Sequence, residues 1–214
     1  MIRDQFKPES YFEEFIFTQE NRIAKFSSVL KELDIHDIDK TVQCKTYLCR
    51  LYMDLISAKY SLGLEKDDIS DDVKSLFSYI CKISSYNEMI NYLSLAIIFD
   101  INIPKSILDM NEYGDALVDW LKGFWDKTRA KNTALTFPEN YKVFYDFISN
   151  KIKKDDFKQY MDEEWYESCK EFAFYNSHEL DSKTYSGYWC WIAAAIIKIK
   201  SIDVKGKYIP SDLI

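Results

Sequence analysis

Apolar side chains recur at helical spacing along most of the chain, and this pattern predicts an all-α protein. A first helix is expected to run down to about Leu33, opened by a capping box in which Ser10 and Glu13 satisfy its first amide groups. A second helix is expected over residues 38–62. Gly63 follows this helix, and a glycine there can end it in the left-handed conformation.

The remaining helices are expected to be shorter, and capping or proline signals mark several of their starts. Ser85 and Glu88 form a second capping box, while Pro104 and Pro138 suit the first positions of helical segments. The segments expected in this part of the chain are 67–83, 85–98, a turn at 104, 116–125, 139–148, 155–172 and 188–199. Only 5 glycines and 4 prolines interrupt the chain. We therefore predict a compact bundle of about eight helices, mostly in antiparallel pairs.

The length of 214 residues allows either one body or two tightly packed halves. We divide the chain into an N-terminal helical region, 1–110, and a C-terminal helical region, 111–214. The two regions are expected to pack as one body.

Three features of the sequence predict a cytoplasmic protein. The amino terminus is charged from its third residue and lacks the apolar stretch of a secretory signal. The most apolar run, 188–197, is about half as long as a bilayer span, so no membrane segment is expected. The 5 cysteines are odd in number and form no CxxC pair, which is typical of reduced thiols in a core.

Residues suited to catalysis are scarce. The only histidines, His36 and His178, lie in polar segments that predict solvated loops. No HExxH, Walker or GxGxxG motif occurs, and neither histidine has the Glu-x-x-His spacing of a di-metal bundle. Asp162, Glu163 and Glu164 could form a carboxylate pair or a Mg²⁺ site, but adjacent helical positions point in different directions. We therefore expect no enzymatic activity, no metal and no cofactor.

The negative charge of the chain is concentrated in one segment. Nine acidic and two basic residues lie between Asp155 and Asp181, so this segment carries the whole formal net charge of -7. Glu163, Glu167 and Glu171 would line one face of the helix expected there, where like charges repel one another. Aromatic residues ringed by charge are good interface anchors. We predict a partner-binding surface composed of Asp162, Glu163, Glu164, Trp165, Tyr166, Glu167 and Glu171.

A second interpretation of the same segment stays open. Trp165 could belong to the core, and the acidic residues could serve only to keep the protein in solution. In either case, the acidic balance disfavours direct binding to nucleic acid, because phosphates repel it. A basic protein is the favoured partner.

Short motifs near both ends of the chain form a distinctive set. They are Arg3-Asp4 and Tyr11-Phe12 at the start, and Tyr185-Ser186-Gly187-Tyr188-Trp189, Ala193-Ala194-Ala195, Ile202-Asp203 and Tyr208-Ile209-Pro210-Ser211-Asp212-Leu213 at the end. Together they resemble the PoNi family, the helical immunity proteins that are paired with polymorphic-toxin nucleases in bacterial competition. The carboxyl-terminal motifs also have a structural interpretation, in which Gly187 allows close packing, Tyr188 and Trp189 fill the core and Pro210 fixes the tail.

The resemblance implies an immunity protein that binds a cognate toxin, typically a DNase, and occludes its active or substrate-binding site. The implied partner is a basic nuclease domain, which the acidic segment would attract. The chain would be a monomer or homodimer, with no direct contact to nucleic acid or membrane. Two alternatives are an enzyme that reverses toxin damage, and a helical scaffold or adaptor protein with no toxin partner.

Overall fold

The fold was analysed in a computed structural model, which describes residues 1–34, 36–109, 114–127, 132–180 and 182–214. These residues form ten α-helices and two short 3-10 helices, with no strand among them. Eight of the α-helices have seven residues or more, so the expected all-α fold is confirmed. No helix in these ranges is long and apolar enough to cross a membrane.

The helices are joined mostly by short connections, in keeping with the low content of glycine and proline. The α-helices are α1 (Glu9–Glu32), α2 (Ile38–Leu62), α3 (Lys66–Tyr79), α4 (Tyr86–Ile98), α5 (Lys105–Leu108), α6 (Ala116–Lys122), α7 (Pro138–Ile148), α8 (Lys154–Glu163), α9 (Trp165–Ser168) and α10 (Trp191–Lys200). The 3-10 helices are Ser177–Glu179 and Ser211–Leu213.

Most helix ends lie where the sequence signals predicted them. Gly63 ends α2 with a φ of 100°, in the left-handed region. At the start of α4, the hydroxyl of Ser85 accepts a hydrogen bond from the amide of Glu88 at 3.2 Å. Pro138 is the first residue of α7, where its missing amide hydrogen costs no helical bond.

The capping box expected at Ser10 and Glu13 is wrong. Helix α1 begins one residue earlier, at Glu9, so Ser10 already lies inside its first turn. Pro8 occupies the capping position in an extended conformation, and its carbonyl oxygen accepts the amide hydrogen of Tyr11 at 3.1 Å. No side chain caps this end.

The chain divides into two compact units. The first comprises Met1–Lys82 and Asn176–Gly187, and the second comprises Ile83–Tyr175 and Tyr188–Ile214. Residues 110 and 111, between which the sequence suggested a division, lie outside the described residues. That division therefore stays a prediction.

In the first unit, α1, α2 and α3 pack as antiparallel neighbours. Phe26, late in α1, packs on Tyr47, early in α2, with 4.5 Å between the ring centroids. Tyr52 of α2 then stacks on Tyr79 at the end of α3, with 5.8 Å between centroids. The core between α1 and α2 is formed by Ile23, Cys44, Leu48, Leu51 and Leu55.

In the second unit, α10 supplies core residues, since its residues from Trp191 to Ile197 are all apolar and all buried. Helices α7 and α8 form an antiparallel pair. Phe147 stacks on Phe157 across this pair, with ring centroids 4.1 Å apart and planes inclined by 6°. Full burial of such a ring contributes about 1.5–3 kcal/mol to the free energy of unfolding.

The carboxyl ends of α4, α7 and α10 meet at two lysines. The ammonium group of Lys198 donates to the carbonyl oxygen of Ile98 at 2.9 Å, and that of Lys200 donates to the carbonyl oxygen of Phe147 at 3.3 Å. Cations are favoured at the carboxyl end of a helix because unpaired carbonyl groups gather there. The two lysines thereby tie three helix ends together.

The continuous helix expected over 155–172 is wrong. Helix α8 ends at Glu163, Glu164 departs from helical geometry with φ of -118°, and α9 covers only Trp165–Ser168. A continuous helix would place Glu163, Glu167 and Glu171 four residues apart on one face, where their like charges repel one another and disfavour the helix. The residues beyond α9 form turns, so Glu163, Glu167 and Glu171 do not share a helical face.

Candidate protein-binding site

The structure divides the acidic segment into residues with different surroundings. Asp156 caps the start of α8 by accepting the amide hydrogen of Lys153 at 3.0 Å. Glu179 belongs to the first unit, while the acidic residues from 155 to 171 belong to the second. Asp181 lies outside the described residues. The surface that can be described as one piece is therefore the part around the end of α8 and the turns that follow it.

Asp162 has an intramolecular role. Its carboxylate pairs with Lys158 one turn earlier and accepts the amide hydrogen of Lys207 at 2.8 Å. Burial opposes ionisation of this group, but the bonds from Lys158 and Lys207 outweigh it and lower the pKa of Asp162. The carboxylate thus fastens the 205–208 turn to α8.

Four glutamates of the predicted surface are exposed to solvent: Glu163, Glu164, Glu167 and Glu171. The carboxylate of Glu163 accepts a bond from the amide of Gln159 at 3.0 Å. The carboxylate of Glu167 pairs with Lys170 at 2.9 Å, and this bond lowers the pKa of Glu167. Such exposed pairs contribute little to stability, so these carboxylates remain available to a partner.

Trp165 is buried, with 7% of its surface exposed. Its ring packs on Tyr208 with 5.0 Å between centroids. This environment matches the interpretation in which Trp165 belongs to the core, and it leaves little of the indole for a partner to contact.

Tyr166 lies half-buried between other tyrosines. It stacks on Tyr175 with 4.8 Å between ring centroids and on Tyr208 with 5.8 Å. It also contacts Tyr188 at 4.8 Å. The hydroxyl of Tyr175 donates to the carboxylate of Glu167 at 3.3 Å, which joins this aromatic stack to the acidic residues.

Sequence reasoning missed the aromatic residues that follow α9. Phe172 and Phe174 stack on each other with planes inclined by only 7° and centroids 5.5 Å apart. Phe174 is 36% exposed and contacts Tyr188, with 6.1 Å between centroids. The pattern Phe172-Ala173-Phe174-Tyr175 next to an acidic run was the available signal. We define the aromatic-acidic surface as Glu163, Glu164, Tyr166, Glu167, Glu171, Phe172, Phe174 and Tyr175.

The structure describes both histidines and all 5 cysteines, the side chains most often used in catalytic and metal centres. His36 is exposed, and His178 packs on the ring of Phe6 with 4.4 Å between centroids. No group of three or more His, Cys, Asp or Glu side chains in these ranges is placed to hold a metal ion. Burial raises the pKa of Cys169 to about 12 and also raises the pKa of Cys190 well above its usual value, so both remain thiols at neutral pH.

Two family models cover almost the whole chain. The model of the N-terminal part of the PoNe immunity proteins (PoNi) matches residues 3–109. The model of their C-terminal part matches residues 113–213. The chain belongs to the PoNi family. The resemblance seen in the sequence is thereby confirmed, and the family supports an immunity function against a nuclease toxin.

One solved structure shares the fold. The crystal structure of protein PA2201 from Pseudomonas aeruginosa matches with a TM-score of 0.76, covering 99% of this chain and 89% of that one. The two sequences are 11% identical, so the likeness shows the fold alone. No curated protein matches the chain.

The PoNi motifs at the two ends of the chain meet inside the first unit. Arg3 donates to the carbonyl oxygens of Tyr60 at 3.1 Å and Leu64 at 2.7 Å, and so satisfies the carboxyl end of α2. The hydroxyl of Tyr185 donates to the carboxylate of Asp4. These contacts give the PoNi motif a role in holding the fold together.

The later PoNi motif residues secure the second unit in the same way. The amide of Cys190 donates to the carbonyl oxygen of Tyr208 at 2.9 Å, and residues 188–190 precede α10, which begins at Trp191, three residues later than the sequence predicted. Ile209 is 3% exposed and Leu213 is 1% exposed. The family motif therefore marks structural positions, while the aromatic-acidic surface lies mainly outside it.

Proposed function

We propose that the chain neutralises its cognate nuclease toxin, a DNase, by binding it stoichiometrically and occluding its active or substrate-binding site. The observation that carries this proposal is the concentration of the chain's net charge in one segment, within a member of an immunity family. A nuclease must present lysine and arginine to the phosphates of its substrate. An acidic surface on the inhibitor is complementary to that cleft.

The exposed glutamates support fast association. Glu163, Glu164, Glu167 and Glu171 are all exposed in the second unit, and Lys170 offsets only part of their charge. Clustered charge of one sign steers an oppositely charged partner and raises the association rate by tenfold or more at low salt. Such steering suits an inhibitor that must reach its toxin before the toxin reaches DNA in the cytoplasm.

Binding should also be tight. A small unbound fraction of a nuclease would damage the producing cell, so we expect a Kd of about 1 nM or lower. Affinity at that level requires buried contacts in addition to charge, and aromatic side chains commonly supply them. The partly exposed rings of Tyr166, Phe172, Phe174 and Tyr175 are suited to this role.

Enzymatic reversal of toxin damage is the first alternative. Two of the buried cysteines, Cys169 and Cys190, are poor candidates for a nucleophile, since burial raises their pKa values. We therefore propose that the protein acts without catalysis.

A scaffold or adaptor without a toxin partner is the second alternative. It would share the helical composition, but it gives no reason for membership in an immunity family. Capture of a nuclease from the native strain by the tagged chain distinguishes this alternative from the proposal.

Titration of nuclease activity tests the proposal. With the captured nuclease held at a concentration far above its Kd, activity should fall linearly and reach zero near one equivalent of inhibitor. Co-expression should rescue cells that express the nuclease. Full protection at strongly substoichiometric amounts would contradict occlusion and indicate catalysis.

A further inference from the structure

The rings of the aromatic-acidic surface form a firm platform. Phe172 and Phe174 are stacked nearly parallel, and Tyr166 and Tyr175 form a second stack with planes inclined by 27°. Tyr188, which is 3% exposed, contacts both stacks from the buried side. A partner would therefore meet ring faces whose positions are already set by packing.

Carboxylates flank these rings in the sequence, and one of them contacts a ring residue directly. Glu171 directly precedes Phe172, and Glu167 accepts the hydroxyl hydrogen of Tyr175 at 3.3 Å. Glu163 and Glu164 lie at the end of α8, close before Tyr166 in the chain. Aromatic faces and carboxylates both attract cations, so the whole surface favours a positively charged group.

The two kinds of cationic side chain would use this surface differently. The guanidinium of arginine is planar, stacks on aromatic faces and can donate two parallel hydrogen bonds to a carboxylate. The ammonium of lysine is compact and strongly hydrated, and it acts mainly as a point charge. A platform of stacked rings beside carboxylates therefore suits arginine better than lysine.

We propose that the aromatic-acidic surface docks arginine side chains of the partner, with a guanidinium stacked on the ring of Phe174 and paired with a neighbouring glutamate. Tyr208, which packs on Tyr166, already makes a related contact, because the ammonium of Lys207 lies 4.9 Å from the centroid of its ring. This inference rests on the proposed function for its occupant, a basic nuclease. It adds the chemistry by which that partner is recognised.

Two fluorescent peptides of equal length and charge, one of arginines and one of lysines, serve as probes for the full chain. Fluorescence anisotropy should show that the arginine peptide binds about threefold to tenfold more tightly. The Phe174→Leu variant keeps an apolar side chain but removes the ring face, so it should bring the two affinities together. Phe174→Trp should preserve or increase the preference, because indole is the strongest cation-binding ring.

Phe17→Leu is the matched control, since Phe17 is a 67% exposed phenylalanine in the first unit. It should leave both affinities unchanged. Phe172→Leu is a second variant at the platform, and circular dichroism confirms that each variant is folded. Equal binding of the two peptides to the wild-type chain, or an unchanged preference in folded Phe174→Leu, would overturn the inference.

The peptide experiment separates this inference from the proposed function, because it requires no toxin. A chain that inhibits the nuclease but binds both peptides equally overturns only the arginine docking. A chain that prefers arginine but fails to inhibit a nuclease overturns only the proposed function.

Discussion

The hydroxyl of Tyr185 donates a hydrogen bond to the carboxylate of Asp4, so residues near the two ends of the chain are joined within the first unit. Asp4 also accepts the amide hydrogens of Phe6 and Lys7, each at 2.8 Å, and thereby shapes the turn that leads into α1. Tyr11 completes the contact by donating its hydroxyl hydrogen to the carbonyl oxygen of Tyr185 at 2.9 Å.

Tyr185→Phe should therefore weaken folding without affecting recognition. Loss of a hydrogen bond to a carboxylate should lower the free energy of unfolding by about 1.5–3 kcal/mol, as measured by urea denaturation. Inhibition of the nuclease should be unchanged at temperatures where the variant is folded. A selective loss of inhibition in a stably folded variant would instead place the family motif at the interface.

Asp54 should make stability depend on pH. Burial raises the pKa of Asp54 to about 6, against the opposing attraction of Arg22 and a hydrogen bond from Gln19. Because the folded protein disfavours the charged form, this carboxyl group destabilises the fold increasingly as pH rises from about 4 through about 6.

The Asp54→Asn variant removes that charge. It should be more stable than the wild type by about 1–3 kcal/mol at about pH 7.5, and the gain should shrink at about pH 4.5. Urea denaturation at both pH values measures the difference. A gain that is equal at both pH values would show that ionisation of Asp54 is not its cause.

Gly63→Ala should destabilise the first unit. Gly63 has a φ of 100°, and an added Cβ would overlap the carbonyl oxygen of Met1. The backbone strain at residue 63 and the displacement of Met1 together should lower the free energy of unfolding by about 1–3 kcal/mol, as measured by thermal or urea denaturation.

Gly123 provides the control for this prediction. It ends α6 with a φ of -60°, a conformation open to alanine, and an added Cβ would lie 3.1 Å from the carbonyl oxygen of Trp120, a much milder contact than the overlap at Gly63. Gly123→Ala should therefore cost much less than Gly63→Ala. Similar losses in the two variants would mean that backbone conformation is not the cause.

Four of the cysteines should resist thiol reagents in the native protein. Cys44, Cys49, Cys169 and Cys190 are buried, and Cys81 is partly exposed. Titration with a chromogenic disulfide should detect about one fast thiol in the folded chain and all 5 after unfolding. Fast reaction of several thiols without denaturant would indicate that the core opens readily.

The sequence was sufficient to place elements whose ends carry strong local signals. The bounds of α2 were correct because the apolar stripe is long and Gly63 ends it in the left-handed conformation. The start of α7 at Pro138 was predicted from an equally local signal, the proline itself. These features depend on residues within a few positions of one another.

Features that depend on distant contacts were not predictable in the same way. Repulsion between the glutamates disfavours a continuous helix but does not fix where it breaks, and the break at Glu164 accompanies the packing of Trp165 on Tyr208, which is distant in the sequence. The intramolecular bonds of Asp162 required knowledge of where Lys207 lies. The acidic composition of the binding surface could be predicted from the sequence, and the run Phe172-Ala173-Phe174-Tyr175 gave a signal for its aromatic residues, whereas the stacking of their rings depends on the fold.

The central claim, that this acidic segment meets a basic nuclease, can be tested with two matched charge reversals. Glu163→Lys with Glu167→Lys changes the candidate surface. Asp67→Lys with Asp71→Lys is the control, because these exposed residues of α3 have the same spacing and Asp71 also pairs with a lysine, Lys74. Circular dichroism and urea denaturation confirm that both double variants are folded.

The association rate constant for the cognate nuclease, measured by stopped-flow fluorescence at low salt, is the deciding quantity. We predict that the Glu163/Glu167 reversal slows association by about tenfold or more, and that the control slows it much less. Wild-type association should itself slow as salt rises, since exposed charges are screened within about 10 Å at 0.1 M. An unchanged association rate in the folded Glu163/Glu167 variant would contradict the account. It would mean that the acidic residues serve only to keep the protein in solution.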